Sequence, residues 1–386
     1  MDVDLTDRQV AVRAGARAFA EAELAPHARA NDRAARCDPA LIRRMGEAGW
    51  LGVPLPEEYG GRGLDHTAYA LATEEIGRVD SSMRTALSIT CSLVAKTVLA
   101  WGTEAQRRRW LPGLANGEVI GCFGLTEPQS GSDAAGLATA ARRDAGGGWV
   151  LDGRKMWIGN GGVADLALIV AQADPALDHR GMAAFLVPTA TPGFRAEEIE
   201  GKLGLRAAST ARLFLDGVRV GPDALLGEVG QGFRVAMSAL DDGRFSVAAG
   251  CVGIMQASLD AALDYAGKRE AFDQPVASFQ LVQELLADIA VDTEAARLLV
   301  LRAARLKDRG LPNTVETSMA KLFASEAAVR AANAAIQVHG GNGYFDEYPV
   351  ERYLRDARVA TLYEGTTQIQ KLIIGKHLTG IDAISR

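Results

Sequence analysis

The stretch Cys122-Phe-Gly-Leu-Thr-Glu-Pro-Gln-Ser-Gly-Ser-Asp133 divides a helical first third of the chain from a β-rich middle. It gathers Thr126, Glu127, Ser130, Ser132 and Asp133 around a proline and two glycines. Pro128 pre-sets one φ angle, and Gly131 accepts any. Such a loop can aim several N–H and hydroxyl groups at one polar, flat or anionic ligand. It is also what an ordinary polar turn is made of, so the rest of the chain has to decide.

Upstream, residues 1–120 read as helices. Thr6-Asp-Arg-Gln9 and Thr103-Glu-Ala-Gln106 have capping-box spacing, and Asp38-Pro39 places an N-cap before a proline at N1. Long helices are expected near 66–79 and over 82–101, and the helix after Thr103 is expected to stop near Pro112. Downstream, residues 121–228 carry short apolar or alternating runs: Trp149-Val-Leu, Leu166-Ala-Leu-Ile-Val-Ala, Met182-Ala-Ala-Phe-Leu-Val and Ala211-Arg-Leu-Phe-Leu. Bounded by Gly, Asp and Pro, they predict a small β barrel or sandwich. Residues 229–386 return to helical periodicity in four blocks, roughly 229–267, 278–309, 312–338 and 350–378. The order is therefore α, then β, then α.

Composition narrows the classes of function. The 386 residues carry a net charge of −6, which offers no nucleic-acid surface. No apolar run approaches the ~18 residues of a membrane span. The start, Met-Asp-Val-Asp-Leu-Thr-Asp, is acidic and has no signal core. Cys37, Cys91, Cys122 and Cys251 are scattered, which suits a reducing cytoplasm, and neither they nor the five histidines have metal-ligand spacing. Gly159-Asn-Gly161-Gly-Val-Ala164 fits a loose dinucleotide pattern, but a strand is expected after it where that motif requires a helix. Thr361-Leu-Tyr-Glu364-Gly-Thr-Thr-Gln-Ile-Gln370 sets one carboxylate between apolar residues and a glycine. Burial would raise its pKa and suit it to accept a proton; the alternative is a Glu stabilised at a helix start.

In register, these pieces closely resemble the flavin-dependent acyl-CoA dehydrogenase family. They are Leu125-Thr-Glu-Pro…Gly131-Ser-Asp133, Lys155-Met-Trp-Ile158, Leu205-Arg-Ala-Ala-Ser-Thr210, Asp241-Asp-Gly-Arg244, Lys268-Arg-Glu-Ala-Phe272, Gln280, Gln337-Val-His-Gly-Gly-Asn-Gly343 and Tyr363-Glu-Gly-Thr366. The resemblance implies a mostly α protein with a helical N-terminal domain, a central β-domain and a C-terminal four-helix bundle. It implies a homotetramer, as a dimer of dimers, that binds FAD. By this resemblance Phe123, Gly124, Leu125, Thr126, Gly131 and Ser132 line the isoalloxazine, with Trp157, Ile158 and Gly159 beside it. Arg269 and Gln280 would meet the adenosine diphosphate half, where a forked, permanently charged guanidinium suits a pyrophosphate. Gln337, Val338, His339, Gly340 and Gly341 would reach the FAD of a neighbouring subunit, and Thr366, Thr367 and Gln368 would hold it from the near side.

The same resemblance makes Glu364 the base that removes a thioester α-proton while a β-hydride leaves to the flavin. The Glu364 N–H would be one donor to the thioester carbonyl, and Gly365 would let the thioester pass close. Ser132, Asp241 and Arg244 look like contacts around the pantetheine arm. Some branches carry the base just before that arginine; this chain has Gly243 there. The substrate implied is an acyl-CoA or acyl-carrier-protein thioester, with electron-transfer flavoprotein as acceptor. An acyl-CoA oxidase, or a flavin-containing thioester binder without turnover, is the alternative.

Two features bear on substrate and acceptor. Gly159 stands where the family usually has a threonine that bonds the flavin. Arg78-Val-Asp-Ser-Ser-Met-Arg84 is similar to the glutaryl-CoA dehydrogenase branch, where the matching arginine binds a distal carboxylate. Enzymes of polyketide extender-unit supply, which oxidise hydroxymalonyl on a carrier protein, are similar here too. Arg84 lies in an apolar helix and is expensive to bury without an anion; its structural alternative is a salt bridge to Glu74 or Glu75. Arg107-Arg-Arg109 is the candidate basic patch for a carrier protein.

Overall fold

A computed structural model describes residues 4–383; Met1 to Val3, the beginning of the acidic N-terminal stretch, lie outside the described residues. The helix Asp7–Phe19 starts in the expected capping box. Gln9 N–H donates to Thr6 Oγ1 at 3.3 Å and Thr6 N–H to Gln9 Oε1 at 3.0 Å. Thr103 and Gln106 repeat the arrangement at Glu104–Asn116, and Asp38 caps Pro39–Glu47. The Glu104–Asn116 helix does not stop at Pro112. It runs through the proline to a left-handed Gly117, because Leu111, Leu114 and Ala115 on either side are buried in the core.

The helix His66–Val79 and the helical run Ser81–Trp101 form the inner layer of this domain. The run is α over Ser81–Leu87, π over Ser88–Ala95 and α again over Lys96–Trp101. Together with Gly232–Lys268 it reaches the length and mean hydropathy of a membrane span, against the expectation from uninterrupted apolar runs. Ala, Val, Leu, Ile, Cys and Met carry the average, while interspersed Ser, Thr and Gly break up any continuous apolar run. Both helices are mostly buried among other elements, as core helices are.

The middle of the chain is one mixed sheet of eight strands. These are β1 (Gly121–Gly124), β2 (Ala140–Arg143), β3 (Trp149–Gly159), β4 (Leu166–Gln172), β5 (Met182–Pro188), β6 (Phe194–Glu198), β7 (Thr210–Val220) and β8 (Leu225–Leu226). The order is β6-β7-β3-β2-β4-β5-β8, with β1 parallel to β4. Alternation divides β4 between two cores. Ala167, Ile169 and Ala171 face the domain's own core with Trp149, Phe185 and Leu213, whereas Leu166, Leu168 and Val170 face the N-terminal helices. As expected, Gly159–Ala164 is followed by a strand, not by a helix.

Helices Gly232–Lys268, Gln280–Asp308 and Thr314–His339 build the C-terminal bundle. Ala320, Ala324, Ala327, Ala328 and Ala331 are buried and let the helix axes approach closely. The block read as 350–378 is two helices, Val350–Ala360 and Thr367–Thr379. Glu364 and Gly365, at φ of 56° and 88°, cannot continue a right-handed helix, and the break they make holds the site.

Candidate active site

Left-handed backbone at a glutamate costs on the order of 1–3 kcal/mol and persists only where neighbours impose it. Here both carbonyls of the turn are saturated by side chains. Glu364 O accepts from Arg244 Nε at 3.0 Å and Gln370 Nε2 at 3.1 Å. Gly365 O accepts from Lys321 Nζ at 2.7 Å and Gln370 Nε2 at 3.0 Å. Thr366 then caps the following helix through Ile369 N–H. Among the described residues, no hydrogen-bond acceptor takes the Glu364 N–H.

The Glu364 carboxylate rests against Gly243. A Cβ on that glycine would lie 2.5 Å from Oε2, and Leu93 Cδ2 closes the same spot at 2.7 Å. Glu364 as a residue is half-buried, but Oε2 is sealed from solvent and has no hydrogen-bond partner. Burial raises its pKa to about 7, against the pull of Arg244, Lys321 and Arg84. A carboxylate ringed by cations but bonded to none of them can accept a proton near neutral pH.

Arg84 is 2% exposed. Its expected structural partners are taken: Glu74 pairs with Arg297 and Arg13, and Glu75 with Arg13, Arg17 and Arg78. Arg84 instead donates from Nη2 to the Tyr363 hydroxyl at 2.8 Å and from Nη1 to Ser88 Oγ at 3.4 Å, while Nε has no partner. Among the described residues no carboxylate pairs with it. Its stem lies on Gly250, where a Cβ would meet Nε at 2.5 Å. Gly243 and Gly250 are seven residues apart, hence on one helix face about 10 Å apart along the axis. One glycine seats the carboxylate and the other the guanidinium.

The loop after β1 is held from below by a buried ion pair. Lys155 Nζ donates to Glu127 Oε1 at 2.7 Å and to Leu125 O at 3.1 Å. Glu127 also accepts from Ala138 N–H at 2.6 Å and Thr139 N–H at 3.0 Å. Burial lowers the Lys155 pKa to about 8; for Glu127 burial is outweighed by Lys155, and its pKa falls to about 2. Met156 N–H donates to Thr126 O at 2.9 Å, which ties the loop to the bulge in β3. There Trp157, at φ 57°, is 59% exposed, while its neighbour Ile158 and, on the loop side, Phe123 and Leu125 are buried. Asn160 Nδ2 donates to Gly121 O at 3.1 Å, a tie the motif reading missed. A Cβ on Gly159 would meet Ile89 Cδ1 at 2.4 Å, so isoleucine fills the space a larger side chain would need.

The outlying expected residues fall into two groups. Gly131, Ser132, Arg269, Gln280, Gln337, Gly340, Gly341 and Gln368 are exposed. Val338, His339 and Thr367 are buried. The His339 ring stacks on Tyr265 at 4.3 Å and its Nδ1 meets Ala335 O at 2.7 Å, so it cannot turn outward without leaving that stack. Thr367 Oγ1 is engaged with Glu326 at 2.5 Å. Asp241 bonds Arg244 Nη1 at 3.0 Å and Thr314 Oγ1 at 2.8 Å. The basic run is not a free patch, since Arg108 pairs with Glu104 and Arg109 with Asp223.

Comparison with known proteins decides the family. The N-terminal, middle and C-terminal domains of acyl-CoA dehydrogenases match residues 6–118, 122–218 and 230–379. The chain belongs to the acyl-CoA dehydrogenase family. The mouse mitochondrial short-chain specific acyl-CoA dehydrogenase is 46% identical over 376 residues, covering 97% of this chain and 91% of that protein. Butyryl-CoA dehydrogenase from Megasphaera elsdenii superposes with a TM-score of 0.96 at 40% identity, over 98% of this chain and 100% of the other. A Mycobacterium smegmatis glutaryl-CoA dehydrogenase in complex with FADH2 gives 0.94 at 38% identity, over 99% and 97%. This acyl-CoA dehydrogenase is an FAD-dependent oxidoreductase acting on CH–CH groups. Its residues fit the cofactor: the Trp157 side chain is largely exposed beside the loop, and a Cβ on Gly131 would meet nothing within 4 Å.

Proposed function

We propose that this acyl-CoA dehydrogenase oxidises a short acyl thioester ending in a carboxylate, with Glu364 as the α-proton base and Arg84 as the anchor of the distal charge. The observation that carries the substrate class is the Arg84 guanidinium, buried without a carboxylate partner and bonded to the Tyr363 hydroxyl next to the base. A buried cation without an anion is costly, and a substrate carboxylate would offset that cost.

The chain's part in the reaction follows from the turn. The Glu364 N–H polarises the thioester carbonyl, which makes the α-proton more acidic. Gly365 has no side chain to hinder the thioester. The Glu364 carboxylate takes the α-proton onto an oxygen that no other group occupies. Bound FAD supplies the acceptor for the β-hydrogen. The residues that would hold it are Phe123 to Thr126, Gly131, Ser132, Trp157 to Gly159, Arg269, Gln280, Thr366 and Gln368, with Gln337, Gly340 and Gly341 facing a neighbouring subunit. Asp241, Arg244 and Ser132 would flank the thioester arm. Exposed Phe272, Leu281, Tyr344 and Phe345 need a cover, which supports the homotetramer. Electron-transfer flavoprotein is the acceptor in this reading, and the cytoplasm its compartment.

The short-chain and butyryl-CoA names of two relatives favour a second reading, an uncharged short acyl group with Arg84 purely structural. Anaerobic bleaching of the flavin band by butyryl-, isobutyryl-, glutaryl- and hydroxymalonyl-CoA, the last also on a carrier protein, separates the two. Preferential bleaching by carboxylated thioesters, lost in Arg84→Met, is the expected result. Equal bleaching by butyryl-CoA, unaffected by Arg84→Met, would assign the second reading.

A further inference from the structure

Lys321 belongs to none of the motifs that mark this family in the sequence, yet it sits directly behind the turn. It lies on the helix Thr314–His339, is 0% exposed, and is flanked by buried Thr317, Ser318, Ala320, Ala324 and Ser325. A buried ammonium normally has a carboxylate within ion-pair distance. Among the described residues Lys321 has none, and its one hydrogen bond is the 2.7 Å donation to Gly365 O.

We propose that Lys321 is a positioning residue for proton abstraction: it holds the Gly365 carbonyl from behind and sets a buried positive charge beside the Glu364 carboxylate. The inference rests on the reading of Glu364 as the base. Fixing the Gly365 carbonyl fixes the left-handed Glu364–Gly365 backbone, and with it both the carboxylate and the N–H that faces the thioester. The charge favours the ionised carboxylate, the form that can take a proton.

The other groups around Glu364 have hydrogen-bond partners of their own, and Arg244 also holds the Glu364 carbonyl through Nε at 3.0 Å. Arg84, from Ser81–Leu87, bonds Tyr363. Arg244, from Gly232–Lys268, shares its charge with Asp241 on the same helix. Glu326, on the Lys321 helix, takes the Thr367 hydroxyl. Burial pushes the Cys251 thiol up to about 11, so it stays neutral, and raises the Tyr363 phenol. Burial lowers the Lys321 pKa to about 8, with Cys251 and Glu364 acting the other way, so the ammonium is charged at neutral pH.

The test uses the FAD-loaded holoenzyme and reads anaerobic single-turnover flavin reduction against pH, with butyryl- or glutaryl-CoA, whichever reduces the wild type faster. Lys321→Met is expected to keep FAD, to lose about tenfold in maximal rate, and to shift the acid limb upward by about one pH unit, since a cation that favours the carboxylate is gone. Lys321→Arg, which keeps the charge, is expected to hold the limb at the wild-type position. A limb unmoved in Lys321→Met, or moved equally in both variants, overturns the proposal. If Lys321→Met fails to retain FAD, Lys321→Gln against Lys321→Arg makes the same comparison: a limb moved in Gln alone supports the role, and equal limbs reject it. Failure of the underlying reading shows separately, as flavin reduction that survives Glu364→Gln.

Discussion

Gly243 and Glu364 occupy one space: a Cβ on the glycine would stand 2.5 Å from Oε2 and 2.8 Å from Cδ of the glutamate. The helix Gly232–Lys268 therefore provides the seat, and the turn 361–366 provides the carboxylate that fills it. Gly243→Ala should displace the carboxylate while leaving the FAD loop untouched. We expect flavin reduction to fall by about 10–100-fold at unchanged FAD content, the scale on which misplacement by an ångström acts. A variant reducing at the wild-type rate would show that the seat is not required.

Gly250 bears the same relation to Arg84, with a Cβ 2.5 Å from Nε and 2.6 Å from Cδ. Gly250→Ala should push the guanidinium out of line with Tyr363. The loss should fall on carboxylated thioesters, by about tenfold, the equivalent of about 1.4 kcal/mol from a charged hydrogen bond. Butyryl-CoA should be nearly unaffected. kcat/KM for glutaryl- and butyryl-CoA in one variant checks the selectivity.

The pKa of Glu364, raised to about 7 by burial, has two consequences of defined sign. The ionised form is the base, so flavin reduction should rise with pH through a limb near 7. Because the folded-state pKa exceeds the unfolded one, the folded chain binds more protons between about pH 4.5 and 7, and stability falls as pH rises through that window. Glu364→Gln removes the buried charge. It should stabilise the protein at pH 8 by on the order of 2 kcal/mol and have little effect at pH 5. Thermal unfolding of both forms at the two pH values measures this.

Lys155 and Glu127 form a sealed pair under the loop that carries Thr126. Removing one partner leaves the other charge buried, at a cost of about 3–5 kcal/mol. Lys155→Met should lower the unfolding midpoint and weaken FAD retention, because Leu125 O and Glu127 lose their common donor. Lys155→Met combined with Glu127→Gln should recover part of the stability. Urea unfolding of the three proteins, with flavin release followed in parallel, tests the pair.

Some of this was legible in the residues. Thr6, Asp38 and Thr103 announce their helices, since a cap acts within three residues of itself. The β4 alternation and the order of the motifs carry the fold class and family. What escaped depends on contacts between distant elements. Nothing local in 361–366 shows that Glu364 adopts a left-handed backbone, because Arg244, Lys321 and Gln370 impose it from three helices. Glu74 and Glu75 look available to Arg84 on spacing, but four other arginines claim them. Pro112 reads as a stop until the burial of Leu111 and Leu114 outweighs it. Lys321 had a faint signal, a lone lysine within Met319-Ala-Lys-Leu-Phe-Ala324, which is what a buried ammonium looks like in sequence.

The most direct test of the central claim is anaerobic flavin reduction by substrate in Glu364→Gln, with FAD content measured on the same sample. The account predicts a full complement of FAD and no bleaching on the time scale of the wild type. Bleaching at the wild-type rate would contradict it and place the base elsewhere.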